Sequence, residues 1–247
     1  MIKIIDLEKS FYGQKVLNGI SLTIGEKEVV AIIGKSGGGK SVLLKHIIGI
    51  LKPDRGKVMI NGVDITTLSG RELDKIREHF GVLFQGGALF DSLTVYENVA
   101  FPLTEKTKLS KEEIREKVEK ALAEVDLEGV GEKYPAEISG GMRKRVAFAR
   151  TLITGPKIVF FDEPTTGLDP VIVSSIHKLI INARRKYEFT GLIISHEIPE
   201  IFEIADKIAM LYKGVILEVG TPEEIQNTTN PVVRQFITGQ HEGPMKH

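Results

Sequence analysis

The sequence predicts an α/β fold: a mostly parallel sheet wrapped by helices, an antiparallel β region, and an inserted helical segment. Three observations carry this. Short apolar runs, Val29 to Ile33, Ile158 to Phe161 and Leu192 to Ser195, have the uninterrupted character of strands buried on both faces. Helical patterns alternate with the last two of them, which favours a parallel sheet with crossover helices. The first sixty residues instead show strand patterns broken by turn residues, which suggests antiparallel pairing.

Taken in order, Ile2 and Ile4 alternate with polar neighbours, and Leu17 to Ile24 follows a Gly turn. Lys57 to Ile60 precedes the turn pair Asn61-Gly62. From Glu72 to His79 and from Lys111 to Val125, charged and apolar residues recur at helical spacing. Ser110 is the expected N-cap of the second helix, with Glu113 three residues on. The stretch from Phe90 to Thr154 therefore reads as mainly helical. After Pro156 come strand Ile158 to Phe161, a helix from Pro170 to about Lys186, and strand Leu192 to Ser195. Near the end, Asn230 is a good N-cap, Pro231 suits the first helical position, and Gly239 suits a C-cap. That helix puts Val233, Phe236 and Ile237 on one face and is too short to be stable alone. It should dock, either on its own domain or on a second subunit.

Lys+Arg and Asp+Glu are both 33 in 247 residues, so no global field favours nucleic acid or an anionic membrane. No nucleic-acid partner is expected. The absence of cysteine excludes disulfides and thiolate metal sites. Only Lys3 precedes Ile4, Ile5 and Asp6, which does not read as a signal peptide, and no apolar run approaches a membrane span. The chain is expected to be soluble.

The most specific signal is GKSGGGKS, comprising Gly34, Lys35, Ser36, Gly37, Gly38, Gly39, Lys40 and Ser41, between the Val29 to Ile33 strand and Val42. The spacing G-x-x-x-x-G-K-[ST] needs glycines because backbone amides must curl around a polyphosphate. Lys40 can reach the outer phosphates, and the Ser41 hydroxyl can ligate Mg²⁺. Four such fixed positions arise by chance in a chain of this length with a probability on the order of one in a hundred. The ordinary reading, a flexible Gly/Ser turn, is further weakened by the strand before and the helix after.

At the end of the Ile158 to Phe161 strand stand Asp162 and Glu163, where an α/β sheet places its ligands. Asp162 is the natural Mg²⁺ partner. Glu163, pointing the other way if the strand continues, is placed to polarise a water for attack on a γ-phosphate. Alternatively the pair merely opens a turn before Pro164. Ser139, Gly140 and Gly141 lead a helical segment and offer a second helix N-terminus with open amides.

At these residues the chain resembles the nucleotide-binding subunits of ABC transporters, whose LSGGQ signature reads here as ISGGM, with Ile138 and Met142 as departures. The resemblance covers nearly the whole chain, with six motifs in the family's order. It implies that Tyr12 stacks on adenine and that Gln85 senses Mg²⁺ and the attacking water. It further implies that Asp169, in Gly167-Leu168-Asp169, lies at a dimer interface, and that His196 hydrogen-bonds the γ-phosphate. Each has a plain alternative: a strand aromatic, a polar strand end, a helix-start turn, and a structural histidine. The implied fold is a P-loop NTPase (RecA-like) core, residues 1–88 and 155–228, with a helical signature subdomain at 89–154 and a tail at 229–247. The implied cofactors are ATP and Mg²⁺, with two ATP sandwiched between this chain and a second copy.

The apolar stretch after Gln85, with Ala88, Leu89, Phe90, Leu93 and Val95, is partly helical core and partly a candidate groove for an integral membrane permease. GALFDSLTVYENVAFPL, Met142, SHEIPEI and the tail VRQFITGQHEGP resemble the ATPases of Mla and Mce phospholipid transport systems. That branch implies an MCE-type lipid-binding protein and a small regulatory subunit as further partners. It also implies a cytoplasmic location, peripheral on the inner face of the cell membrane. Other cargoes, such as amino acids, metals or drugs, use the same ATP motifs. A soluble scaffold without a permease is a third reading, disfavoured by the single cassette and by the lack of a long coiled-coil insertion.

Overall fold

The computed structural model describes residues 1–245. In chain order its elements are β1 (Ile2–Phe11), β2 (Gln14–Ile24), β3 (Val29–Ile33), α1 (Lys40–Ile47), β4 (Arg55–Ile60), β5 (Val63–Asp64), α2 (Gly70–Arg77), β6 (Phe80–Leu83) and α3 (Val95–Lys106). There follow α4 (Lys111–Ala123), α5 (Gly140–Leu152), β7 (Ile158–Asp162), α6 (Pro170–Tyr187), β8 (Thr190–Ile194), β9 (Lys207–Tyr212), β10 (Val215–Gly220), α7 (Pro222–Gln226) and α8 (Pro231–Thr238). They gather into two compact units, Met1–His79 with the chain from Phe189 onward, and Phe80–Glu188.

The first unit holds an antiparallel sheet in the order β2-β1-β4-β5. Ile2 lies opposite Ile24 on one side and Ile60 on the other, so the alternating isoleucines converge on one buried face. Asn61 and Gly62 both have positive φ, 48° and 85°, as a tight hairpin between β4 and β5 requires. Where β1 pairs with β4 the register slips between Ile5 and Glu8. Asp6 at this bulge has φ 44°, and its N–H donates to Ser21 Oγ at 2.9 Å.

The same unit contains β3 between β8 and β9, parallel to both, with β10 antiparallel to β9. All five residues of β3 and of β8 are buried, which explains their uninterrupted apolar runs. Helix α8 begins and ends as its caps indicate: Asn230 Oδ1 accepts from Val232 and Val233, and Gly239 is left-handed. Val233 is fully buried and α8 packs against α7, so its own domain covers at least part of the apolar face. Gln235, also buried, accepts the N–H of Met245 at 2.7 Å.

In the second unit β6 and β7 run parallel, with Phe80 opposite Ile158 and Leu83 opposite Phe161. The Phe80 and Phe160 rings meet edge to face at 5.2 Å, and Phe148 of α5 stacks on Phe161 at 6.0 Å. Helices α3, α4 and α5 pack on one another. Thr94 with Glu97 and Ser110 with Glu113 form reciprocal capping boxes at the starts of α3 and α4. The expected parallel sheet strands, antiparallel region and helix-rich insertion are all present.

Gly56 has φ 79°, and a Cβ there would run into the backbone carbonyl of Asp6. Gly62 has φ 85° but opens onto empty space. Gly56→Ala should therefore lower unfolding free energy by roughly 2–4 kcal/mol, and Gly62→Ala by about 1 kcal/mol, in urea titrations. Equal losses would mean that the bulge yields without strain.

Candidate functional site

In the first unit, Gly34 follows the buried end of β3 with φ 151°, and a Cβ there would collide with the Leu211 carbonyl oxygen of β9. Gly37 and Gly39 are also left-handed, at φ 73° and 97°. A Cβ on Gly38 would lie 2.9 Å from the Lys35 carbonyl oxygen, to which Gly38 N–H donates in a tight turn. The loop is thus a backbone cradle that side chains would fill. Helix α1 opens directly from it with Gly39 as N-cap and no side chain satisfying its first turn, whereas α3 to α8 each carry a capping side chain. An uncapped helix start behind a glycine cradle suits an anion such as a polyphosphate.

Lys40 is only 4% exposed, and its Nζ donates to Gly34 O at 2.9 Å and Lys35 O at 3.0 Å, folded back across the loop it would serve. Lys35, Ser36 and Gly37 are exposed, and Ser41 and Val42 half-buried. Tyr12 is not a strand aromatic: it turns the hairpin between β1 and β2 at φ 50°, with its ring fully exposed. His196 is exposed just past the end of β8, after buried Ser195, whose Oγ accepts from Glu197 N–H at 3.0 Å.

In the second unit, β7 ends at half-buried Asp162. The expectation that strand geometry continues through Glu163 fails, because Glu163 is left-handed at φ 49°. The turn aims its carboxylate at two donors: Gln85 Nε2 and Thr166 Oγ1 each reach Glu163 Oε2 at 3.1 Å. Gln85 in turn accepts through its backbone carbonyl from the buried ammonium of Lys144 on α5. The sequence reading missed Thr166 and Lys144. Thr166 had a local signal, a hydroxyl three residues after the carboxylate, whereas Lys144 looked like any cation of a basic helix.

Ser139 caps α5 by accepting from Met142 N–H at 3.2 Å, so one of the amides expected to be open is already engaged. Gly141 is buried, and a Cβ there would lie 2.8 Å from Ile172 of α6. Its smallness is a packing requirement between two helix starts. Asp169 caps α6, its Oδ1 accepting from Val171 and Ile172 N–H, both at 3.1 Å.

A sequence model of the ABC transporter family matches residues 17–166. The chain belongs to that family. It is 44% identical over 244 residues to a Mycobacterium tuberculosis protein named as a probable ribonucleotide transport ATP-binding protein, covering 99% of this chain and 68% of that one. A Haemophilus influenzae intermembrane phospholipid transport system ATP-binding protein is 37% identical, over 95% of this chain and 89% of its own. A Carboxydothermus hydrogenoformans methionine import ATP-binding protein is 40% identical, over 96% and 71%. Among solved structures, a dimeric post-hydrolysis ATP-binding cassette bound to ADP and Pi superposes with a TM-score of 0.83 at 32% identity, over 90% of this chain and 99% of that one. The chain is an ABC transporter ATP-binding subunit, an ATPase that binds ATP.

In this ABC subunit the apolar stretch after Gln85 divides as the sequence suggested. Val95 is fully buried, Leu89 and Leu93 half-buried, and Ala88 and Phe90 exposed. The Phe90 ring meets that of exposed Phe101 at 4.8 Å, with the Arg150 guanidinium 5.8 Å from its centre. Buried Asn98 shapes the loop: its amide donates to the carbonyls of Phe90, Leu93 and Thr94, and its oxygen accepts from Phe90 N–H. No helix among the described residues is long and apolar enough to cross a membrane.

Helix α1, which follows the glycine loop, carries a buried histidine. His46 Nδ1 bonds the Val42 carbonyl at 2.7 Å, and its Nε2 is buried with no partner among the described residues. Burial pushes the imidazole below its ordinary value of 6.5, against the opposing pull of the Val42 carbonyl. The folded state then resists a proton that the unfolded state accepts. Stability from this group is complete above pH 6.5 and should fall as pH drops below it, by up to about 1.4 kcal/mol per pH unit. His46→Leu should flatten that part of the stability profile measured by urea unfolding between pH 5 and 8; an unchanged slope would clear His46 of the effect.

Proposed function

We propose that this subunit works as one of two copies closing around two ATP to drive an integral membrane permease that moves phospholipid. The observation that carries the catalytic half is the Glu163 carboxylate, held at the end of a buried strand by Gln85 and Thr166. In this reading the amides of Gly34 to Gly39 and Val42 cradle the phosphates, Lys40 holds the outer ones, and Tyr12 stacks on adenine. The hard oxygens of Ser41, Gln85 and Asp162 suit Mg²⁺, which would neutralise charge between the β- and γ-phosphates. Glu163 polarises a water that attacks the γ-phosphorus as the bond to ADP breaks, and His196 hydrogen-bonds the γ-phosphate. Ser139, Gly140 and Gly141 of the other copy close the site, and Asp169 lies at the junction of the two. Lys144 and Thr166 act as positioning residues for Gln85 and Glu163.

The exposed pair of Phe90, on a loop pinned by Asn98, and Phe101 of α3 supports a permease contact on the cytoplasmic side of the membrane. Phospholipid is favoured as cargo by the wording of that loop and by the relative named for phospholipid transport. A second reading, import of an amino acid or another small solute, is favoured by the methionine import relative, which matches 96% of this chain.

Glu163→Gln should slow ATP turnover by at least about a hundredfold while ATP binding persists, and should accumulate as a dimer in analytical ultracentrifugation with ATP and Mg²⁺. Turnover at the parent rate would remove Glu163 from the chemistry. For cargo, the complex purified from membranes should contain a multispanning permease and phospholipid detectable by mass spectrometry. ATPase stimulation by an amino acid, with no lipid retained, would support the second reading instead.

A further inference from the structure

Helices α4, α5 and α6 enclose a cavity of about 160 Å³ that lies among none of the residues assigned to ATP. Its wall is mostly apolar: Val125, Phe148, Leu152 and Ala183 are buried, Ile153 and Leu179 line it further, and Asn182 is the polar exception away from the latch. A space of this size accepts a benzene ring or a run of several methylenes. A polar latch stands at its edge. Lys186 is ion-paired with Glu124, and the Tyr187 hydroxyl donates to the same carboxylate at 3.0 Å.

Past the latch lies an outer chamber of about 320 Å³ that shares Glu124, Leu152, Ile153, Lys186 and Tyr187 with the cavity. The chamber adds the exposed ammonium groups of Lys117 and Lys120 from α4. Its lining therefore sets three lysines, 117, 120 and 186, against the single carboxylate of Glu124. An apolar pocket opening into a cationic mouth has one complementary chemistry: an apolar tail bearing a negative head. We propose that this cavity binds a small anionic amphiphile, a short-chain carboxylate or alkyl phosphate, with its tail between α5 and α6 and its head at Lys117 and Lys120.

At the latch, burial raises the Tyr187 phenol above its ordinary value, so the hydroxyl stays neutral with its single proton on Glu124, and Glu124 holds Lys186 charged, which leaves Lys117 and Lys120 to meet the head. Because α5 also carries Ser139 at its N-terminus, an occupant would lie along the same helix as the signature residues. The site nonetheless stands independently of the proposed ATP chemistry.

Isothermal titration of the full chain with hexanoate and with hexyl phosphate should give one saturable site, and hexanol should bind at least about tenfold more weakly. Lys117→Glu with Lys120→Glu should weaken hexanoate about tenfold or more, and Ala183→Leu, which fills the cavity, should abolish binding. Equal affinity for hexanol, parental affinity in the double variant, or retained binding in a folded Ala183→Leu protein would each overturn the proposal. The lysines are exposed, so the double variant decides even if Ala183→Leu fails to fold. Binding to phosphatidylglycerol vesicles with none to the short acids would make the lysines a membrane contact and overturn the cavity site.

Discussion

The first unit of this ABC subunit turns on one constraint: the backbone must curve tightly at the end of a strand that contains no polar residue, where the proposed ATP site lies. Strand β3 is buried along its whole length between two parallel neighbours, so its end is rigid in both directions. The loop that leaves it has no room for a side chain at Gly34, with Leu211 behind it, and little at Gly39, against Val16 and Leu17. Helix α1 then begins without a capping side chain. These features reinforce one another: a rigid strand end fixes the loop, the loop spends its freedom on curvature, and the helix start supplies oriented donors.

The second unit solves a different problem, which is to hold a carboxylate ready without burying it unpaired. Glu163 sits just past an apolar strand in a left-handed turn, and two neutral donors converge on one of its oxygens. These neutral donors orient the group by hydrogen bonding. Lys144, reaching the backbone of Gln85 from α5, ties that arrangement to the helix headed by Ser139. A shift of α5 would therefore be felt at Gln85.

Much of the fold was legible because its strands are either uniformly buried or cleanly alternating. Val29 to Ile33 could hardly be anything but a buried strand before a glycine loop, and Ser110 with Glu113 announces a helix start by local hydrogen bonding alone. The hairpin of β9 and β10 was not read: β9 is a short buried apolar run, but the half-buried residues of β10 lack a sharp alternation and Lys213-Gly214 is not a strong turn pair. Tyr12 had a strand position as its plain alternative, next to aromatic Phe11. Its φ of 50° reflects the demands of a two-residue turn, for which Gly13 was the signal.

The sequence by itself determined the family, the glycine loop, the acidic strand end and the caps of α4, α5 and α8, because each rests on short motifs of residues close together in the chain. Tertiary structure alone decided what Gly141 is for, since Ile172 comes from another helix and limits the space there. It decided that Glu163 leaves the strand path, that Gln85 and Thr166 share one of its oxygens, and that Asn98 pins the exposed aromatic loop. The contacts of Ile172 with Gly141 and of Gln85 with Glu163 join residues far apart in sequence, whose distances only packing sets, whereas the Thr166 and Asn98 bonds are local but depend on turn geometry fixed by the surrounding fold.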